Sequence, residues 1–409
     1  MQTKLSTSLL QTAQGQEADE ILRRCVHCGF CTAACPTYQI FNDELDGPRG
    51  RIYLIKELLE GAKVSTLTQT HLDRCLLCRA CETACPSGVE YGRLLEIGRH
   101  EINKKVRRSL GDRLRRWLVV KLLPRQKIIK KLLPIARIFR FLLPSTVRNQ
   151  IDMPQISSEK KRVWPRNRHD RKILLLQGCV QSGVVPDIDI SFARVMDSIG
   201  ISVVTETQIE CCGAIEFHLD YRQAALKRIK ANIDICWPHV ESGIEAIVMT
   251  ASGCTLMLQD YAQLLSADKV YLDKARQISM QVLDIVQILE KEDLSNMQIH
   301  KKKKRIAYHA PCTQQHGLKL PNNVKSLLLE VGYQLMQVEQ TQICCGSAGS
   351  YSIFNPAIAD NLRVNKLHHL QRHNPDFIAT ANIGCLLHLT AKAEVPVLHW
   401  IQLLDDPAC

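Results

Sequence analysis

Cys25-Val-His-Cys28-Gly-Phe-Cys31-Thr-Ala-Ala-Cys35-Pro36 and Cys75-Leu-Leu-Cys78-Arg-Ala-Cys81-Glu-Thr-Ala-Cys85-Pro86 carry one spacing twice, C-x2-C-x2-C-x3-C-P. Two-residue gaps let one tight loop bring three thiolates to a cubane iron–sulfur cluster, and the fourth cysteine of each run reaches the other cluster. The proline after it fixes φ and lacks a donor, which suits a departing chain. The spacing predicts two [4Fe-4S] clusters. One rests on Cys25, Cys28, Cys31 and Cys85, the other on Cys75, Cys78, Cys81 and Cys35. A single run is also compatible with zinc, but eight thiolates in two intact runs exceed what a tetrahedral zinc site uses.

Between the runs, apolar residues at 52, 54, 55, 58 and 59 fit one helix face, and Gly61 fits a helix stop. A short helix is also expected from Gln16 to Arg24. Compact bacterial ferredoxins join their runs by shorter, strand-forming segments. This longer helical insert resembles the α-helical ferredoxin module of respiratory iron–sulfur subunits. Arg49 and Arg51 have two readings: they stabilise a reduced, negatively charged cluster, or they solvate the helix start.

The chain has 409 residues, enough for two or three domains. No apolar stretch approaches the roughly 18 residues of a membrane span, and the N-terminus lacks an export-type apolar core. Eighteen cysteines without such a leader imply a reducing compartment and metal ligation, so a cytoplasmic protein is expected. There is no G-x-G-x-x-G fingerprint, no phosphate-binding G-x-x-x-x-G-K-[ST] loop, and no evident Ser/His/Asp or paired-carboxylate arrangement.

The net charge of +12 is concentrated. From Lys104 to Arg148 there are fifteen Lys and Arg residues against one acid, Asp112. Trp117, Phe139, Phe141 and many Leu and Ile residues are interleaved, and prolines at 124, 134 and 144 divide the stretch into short helical pieces. Basic amphipathic helices lie on anionic membranes, dock on partner subunits, or pack as linkers. Nucleic acid ranks last, because phosphate binding does not require so many apolar residues. The membrane surface ranks first, which predicts a protein peripheral to the inner membrane.

The second half repeats. Lys172-Ile-Leu-Leu-Leu176 precedes Cys179, and Arg305-Ile-Ala-Tyr-His309 precedes Cys312. A Cys-Cys-Gly triplet follows at the same interval, 32 residues, as Cys211-Cys212-Gly213 and Cys344-Cys345-Gly346. Each copy closes on a strand and a cysteine, Cys254 and Cys385. Strands alternating with helical patterns predict two α/β units with parallel sheets and cysteines at strand ends. The eight cysteines 179, 211, 212, 254, 312, 344, 345 and 385 can bind a further cluster or zinc, or pack as small hydrophobes. Cys236 and Cys409 have no counterpart and are read as bystanders. His27, His309, His316 and His388 lie near cysteines; each either tunes a centre or is simply packed.

Two such runs followed by two C–CCG–C copies resemble the iron–sulfur subunit of bacterial glycolate oxidase (glycolate dehydrogenase). The resemblance extends to Asp43-Glu-Leu-Asp-Gly-Pro-Arg-Gly-Arg-Ile-Tyr-Leu-Ile-Lys56, His71-Leu-Asp-Arg-Cys75 and Thr380-Ala-Asn-Ile-Gly-Cys385. It implies partner flavin-binding subunits that carry FAD, oxidise glycolate to glyoxylate and pass electrons here, and a membrane quinone as the destination. No catalytic residue for glycolate is expected in this chain. The wider cysteine-rich family often ends in C-x2-C; here Met257 and His388 stand at the last position. Alternatives are the iron–sulfur subunit of a D-lactate or glycerol-3-phosphate dehydrogenase complex, or a self-contained thiol/disulfide redox enzyme. The expected fold class is α+β multidomain. Residues 1–103 form the di-cluster α-helical module, 104–171 a basic helical segment and linker, and 172–300 and 301–409 the two α/β copies.

Overall fold

A computed structural model describes residues 1–138, 163–206, 208–209, 211–295 and 304–405. The basic stretch beyond Ile138, the rest of the expected linker to residue 162, Lys301–Lys303 and Cys409 lie outside the described residues. The chain is α+β and forms two compact units. One is Met1–Leu118 with Gln342–Leu362; the other is Val119–Thr341 with Arg363–Cys409.

The first unit is helical, with no strand among its described residues. Helix α1 (Ala13–Arg24) starts where the Thr12 hydroxyl accepts from Gly15 N at 3.0 Å, and it ends on Cys25. Short helices α2 (Phe30–Ala33) and α3 (Pro36–Phe41) follow the first run's loop. Pro36 is the first residue of α3, where its fixed φ fits and its missing N–H has no partner to lose. Helix α4 (Pro48–Leu59) starts earlier than its apolar stripe, because Pro48 opens it in the same way. Helix α5 (Thr66–Asp73) leads into the second run, α6 (Ala80–Thr83) lies within it, and α7 (Tyr91–Lys105) packs along α4. Leu22, Ile55, Leu58, Leu72, Leu94 and Leu95 are fully buried between these helices. Each such side chain contributes about 1.5–3 kcal/mol of burial.

Helices α8 (Leu110–Leu122) and α9 (Gln126–Ile138) continue the chain. The sequence marks Pro134 as the end of a helical piece; in the fold it lies inside α9. Proline removes one helix hydrogen bond and crowds the preceding turn, which kinks a helix as well as ending one.

The second unit contains two parallel sheets. Strand β1 (Arg171–Leu175) is central, flanked by β2 (Ile201–Thr205) and β3 (Ala246–Val248). Helix α10 (Asp187–Ser198) connects β1 to β2. Helix α11 (Ala214–His218) follows Gly213, α12 (Arg222–Glu241) leads to β3, and α13 (Ser252–Gln259) leaves it. The second sheet has order β5-β4-β6-β7, with β4 Arg305–His309, β5 Gln334–Leu335, β6 Phe377–Thr380 and β7 Val397–His399. Helix α14 (Ile383–Thr390) follows β6. Ile173, Leu174, Leu175 and Leu176 are all buried, as strands covered on both faces require. Carboxyl-end segments of the two sheets meet: Ser252 N donates to the Ala381 carbonyl at 3.1 Å, and the Ser252 and Thr313 hydroxyls lie 2.7 Å apart.

Candidate metal centres

The two runs fold into matching loops. His27 and Gly29 in the first, Leu77 and Arg79 in the second, hold left-handed backbone at equivalent positions. Two left-handed residues around the middle cysteine turn the chain inside a few residues. At Gly29 this conformation is free; at Arg79 it costs about 1–2 kcal/mol. The sequence reading missed this strain, although an arginine standing where the first run has glycine was its signal. Backbone N–H groups point at sulfur: Leu77 N lies 3.5 Å from Cys75 Sγ and Val89 N 3.5 Å from Cys85 Sγ.

The thiols gather at two recesses. Cys25, Cys28, Cys31 and Cys85 line the first, with Arg49, around about 430 Å³ of atom-free space partly open to solvent. Cys35, Cys75, Cys78 and Cys81 line the second, of about 300 Å³. Cys81, Pro48 and Tyr91 border both, so the recesses are neighbours. Every described cysteine is a free thiol. Burial, then the charges of Cys25, Cys85 and Cys28, push the Cys31 thiol up to about 11. Burial, then Cys78, Cys75 and Cys35, push Cys81 well above its ordinary value. Thiols crowded in this way ionise together only beside compensating positive charge, which the iron of a cluster supplies. The donor set and the recesses therefore fit iron–sulfur ligation.

Arg51 is buried at the second recess, which removes the solvation reading for it. Its Nε donates to the His71 carbonyl at 2.7 Å, and its Nη1 to the Thr37 hydroxyl at 3.1 Å. That hydroxyl lies 3.3 Å from Cys35 Sγ. Arg49 pairs with Glu44 at 2.7 Å at the first recess. Tyr351, seven residues after Cys344, donates its hydroxyl to the Arg74 carbonyl at 2.9 Å, beside Cys75.

The first repeat gathers its four cysteines. The thiols form a chain of neighbours, Cys179 to Cys211, Cys211 to Cys212, and Cys212 to Cys254. The hydrogen bond to Cys211, then burial, pushes Cys179 well up. Side chains clamp the doublet's backbone: Asn232 Nδ2 donates to the Cys211 carbonyl at 2.9 Å, and the Tyr261 hydroxyl to the Cys212 carbonyl at 2.7 Å. Gly213 is left-handed at φ 92°, and its N–H points at Cys211 Sγ at 3.5 Å. Gly346 repeats both features at φ 92° and 3.4 Å from Cys344 Sγ. In the second copy Cys312 and Cys385 belong to the second unit, Cys344 and Cys345 to the first. Cys236 is packed in the core of the first copy. Met257 and His388 are buried.

No helix among the described residues is long and apolar enough to cross a membrane. Helix α8 leaves Leu110, Leu114, Trp117, Leu118 and Leu122 exposed at helical spacing. Arg113, Arg115, Lys121 and Arg125 are exposed among them. Arg108 and Arg116 instead tie Asp73 and Asp112, at 2.5 to 3.4 Å.

The family model of a 4Fe-4S dicluster domain matches residues 21–89. The model of a cysteine-rich domain matches residues 173–259 and 306–390. The chain is 46% identical over 406 residues, 99% of each chain, to the glycolate oxidase iron-sulfur subunit of Escherichia coli. It is 26% identical to the probable glycolate oxidase iron-sulfur subunit of Bacillus subtilis over 442 residues, 100% of this chain and 99% of that one. Lactate utilization protein A of Shouchella clausii matches at 25% over 245 residues, 57% of this chain and 98% of that one. With both cysteine modules matched and the likeness to the Escherichia coli protein running end to end, the chain belongs to the family of glycolate oxidase iron–sulfur subunits.

Proposed function

We propose that this chain is the electron-transfer subunit of a glycolate-oxidising complex. The observation that carries the reading is the crossed lining of two adjacent recesses: Cys25, Cys28 and Cys31 with Cys85 and the shared Cys81 at the first, and Cys75, Cys78 and Cys81 with Cys35 at the second. In this reading Cys25, Cys28, Cys31 and Cys85 hold one [4Fe-4S] cluster, and Cys75, Cys78, Cys81 and Cys35 hold the second. Such clusters supply one-electron carriage. The chain's own residues bury Cys25, Cys35, Cys75, Cys78 and Cys81, aim N–H groups at sulfur, and set the Arg51 guanidinium beside the second thiol set. Hydrogen bonds and charge of this kind tune a centre's potential.

Glycolate gives up two electrons and two protons on becoming glyoxylate. That chemistry belongs, in this reading, to separate flavin-binding subunits carrying FAD, and the electrons leave here for a membrane quinone. The thiol quartet of the first repeat is a further metal-binding site, for a cluster or zinc. Residues 1–103 are the electron-carrying module, 104–171 the basic helical segment and linker, and 172–300 and 301–409 the two repeats. Helix α8 supports a peripheral position on the cytoplasmic face of the inner membrane, since its exposed apolar stripe and the exposed Arg113, Arg115 and Lys121 suit an anionic surface.

The test uses the full chain purified anaerobically with its flavin subunits. Glycolate should bleach the visible absorbance of the iron–sulfur centres. Unchanged cluster absorbance while the flavin is reduced would sink the reading.

A further inference from the structure

Of the residues that border both N-terminal recesses, Pro48, Cys81 and Tyr91, only Tyr91 carries an O–H donor. Tyr91 is 4% exposed, and its hydroxyl has no hydrogen-bond partner among the described residues. A buried tyrosine ordinarily finds one. Phenylalanine would fill the same space with no donor left unmet, so the oxygen calls for a recipient.

The surroundings supply a sulfur. Cys75 is first among the charged neighbours of the phenol, ahead of Arg51 and Cys81, and its thiol also stands in reach of the hydroxyl. The contact stops short of a completed hydrogen bond. The backbone delivers the side chain to this place. Tyr91 is the first residue of α7, and its N–H donates to the Val89 carbonyl at 2.9 Å. The next N–H, of Gly92, donates to Glu82 Oε1 at 2.6 Å, and Glu82 lies within the second run. Farther along the helix, Arg99 Nη2 donates to the Cys75 carbonyl at 2.8 Å. Residues 91 and 99 are about two helical turns apart, on one face. Helix α7 therefore holds the Cys75 carbonyl through Arg99 and presents the Tyr91 phenol toward the sulfur of the same residue.

We propose that the Tyr91 hydroxyl donates a hydrogen bond to Cys75 Sγ when that sulfur is a cluster ligand, and that this bond raises the reduction potential of the second centre relative to the first. The inference rests on reading the two thiol sets as [4Fe-4S] sites. A donor at a ligand sulfur withdraws electron density and favours the more negative, reduced form. Tyr91 borders both recesses, but its donor faces one thiol set, so the effect falls on one centre. An electron shared between the neighbouring centres then spends more of its time on the second.

The test is a potentiometric titration of the full chain, purified anaerobically and followed by EPR, in wild type and Tyr91→Phe. The signal lost in Cys78→Ser reports the second centre, and the signal lost in Cys28→Ser the first. Tyr91→Phe should keep its iron and labile sulfide and shift the second centre about tenfold toward the oxidised form, about 59 mV lower for one electron. The first centre should move much less. A monofluorinated tyrosine installed at position 91 keeps the shape and is the stronger donor, so it should move the second centre the opposite way. Loosened packing would not reverse its sign between the two variants. If Tyr91→Phe fails to assemble its centres, the fluorinated variant decides alone: an upward shift supports the inference, and no shift or a downward one overturns it. Unmoved midpoints in both variants, or equal shifts of the two centres, overturn the inference and leave the cluster reading standing. A chain that shows neither signal removes the reading and the inference together.

Discussion

Arg51 and Asp46 form an ion pair with no solvent access to either side chain, Nη2 to Oδ1 at 3.3 Å. Asp46 also accepts from Arg74 at 2.7 Å and lies 3.1 Å from His71 Nδ1. Three side chains, Arg51, His71 and Arg74, therefore share the Asp46 carboxylate next to the second recess. The arrangement joins the loop before α4, the first turn of α4 and the end of α5, the last leading directly into Cys75.

Breaking a buried pair by removing one partner leaves an uncompensated charge, which costs about 3–5 kcal/mol. Arg51→Met and Asp46→Asn are each expected to destabilise the N-terminal unit by that order, measured by anaerobic chemical denaturation followed through cluster absorbance. Arg51→Lys keeps the charge but cannot reach His71, Thr37 and Asp46 together, and should fall between. Variants within about 1 kcal/mol of wild type would mean that the network is incidental.

The crossed lining of the recesses makes a prediction about pairs. Cys85→Ser should disturb the same EPR signal as Cys28→Ser, although 57 positions separate them in sequence. Cys35→Ser should match Cys78→Ser. If Cys85→Ser instead matches Cys78→Ser, each run holds its own cluster and the crossing is wrong.

Burial raises the Asp189 carboxyl to about 6, against hydrogen bonds from Thr250 and Gln181 that pull it down. The fold therefore holds a proton that the unfolded chain releases near its ordinary value of 3.8. The stability this gives is full below that ordinary value and is lost as pH rises through about 6. Between about pH 5 and about pH 7.5, wild type should lose about 1.4 kcal/mol relative to Asp189→Asn. Paired denaturation curves at the two pH values check this; parallel behaviour would contradict it.

On helix α8 the exposed cations, not the paired ones, should govern lipid binding. Replacing Arg113, Arg115 and Lys121 by Gln should weaken binding to phosphatidylserine-containing vesicles on the order of 100-fold, at about 1 kcal/mol per charge. Cluster content should be unchanged. Co-sedimentation equal to wild type would remove the membrane surface as the partner of this helix.

Much of this is legible in the sequence itself. Cysteine spacing is local, so loops of a few residues carry it, and the repeat is visible because both copies keep 32 residues between lead cysteine and doublet. The strands at Arg171–Leu175 and Arg305–His309 follow from short apolar runs before those cysteines. What stayed hidden depends on long-range registration. Arg51 reads as a surface residue until α4, α5 and the Asp46 loop close over it. His309 reads as one more histidine until β4, β6 and β7 align it with Thr380 and His399. Pro134 reads as a breaker because its missing N–H and its ring count against a helix locally, yet α9 runs through it.

The most direct measurement is iron and acid-labile sulfide per chain in anaerobically purified protein. At least about eight of each, falling by about four in Cys28→Ser and by about four in Cys78→Ser, is the expected result for two cubane centres. A chain that binds little or no iron, yet still carries electrons from reduced flavin to quinone in the assembled complex, would contradict it.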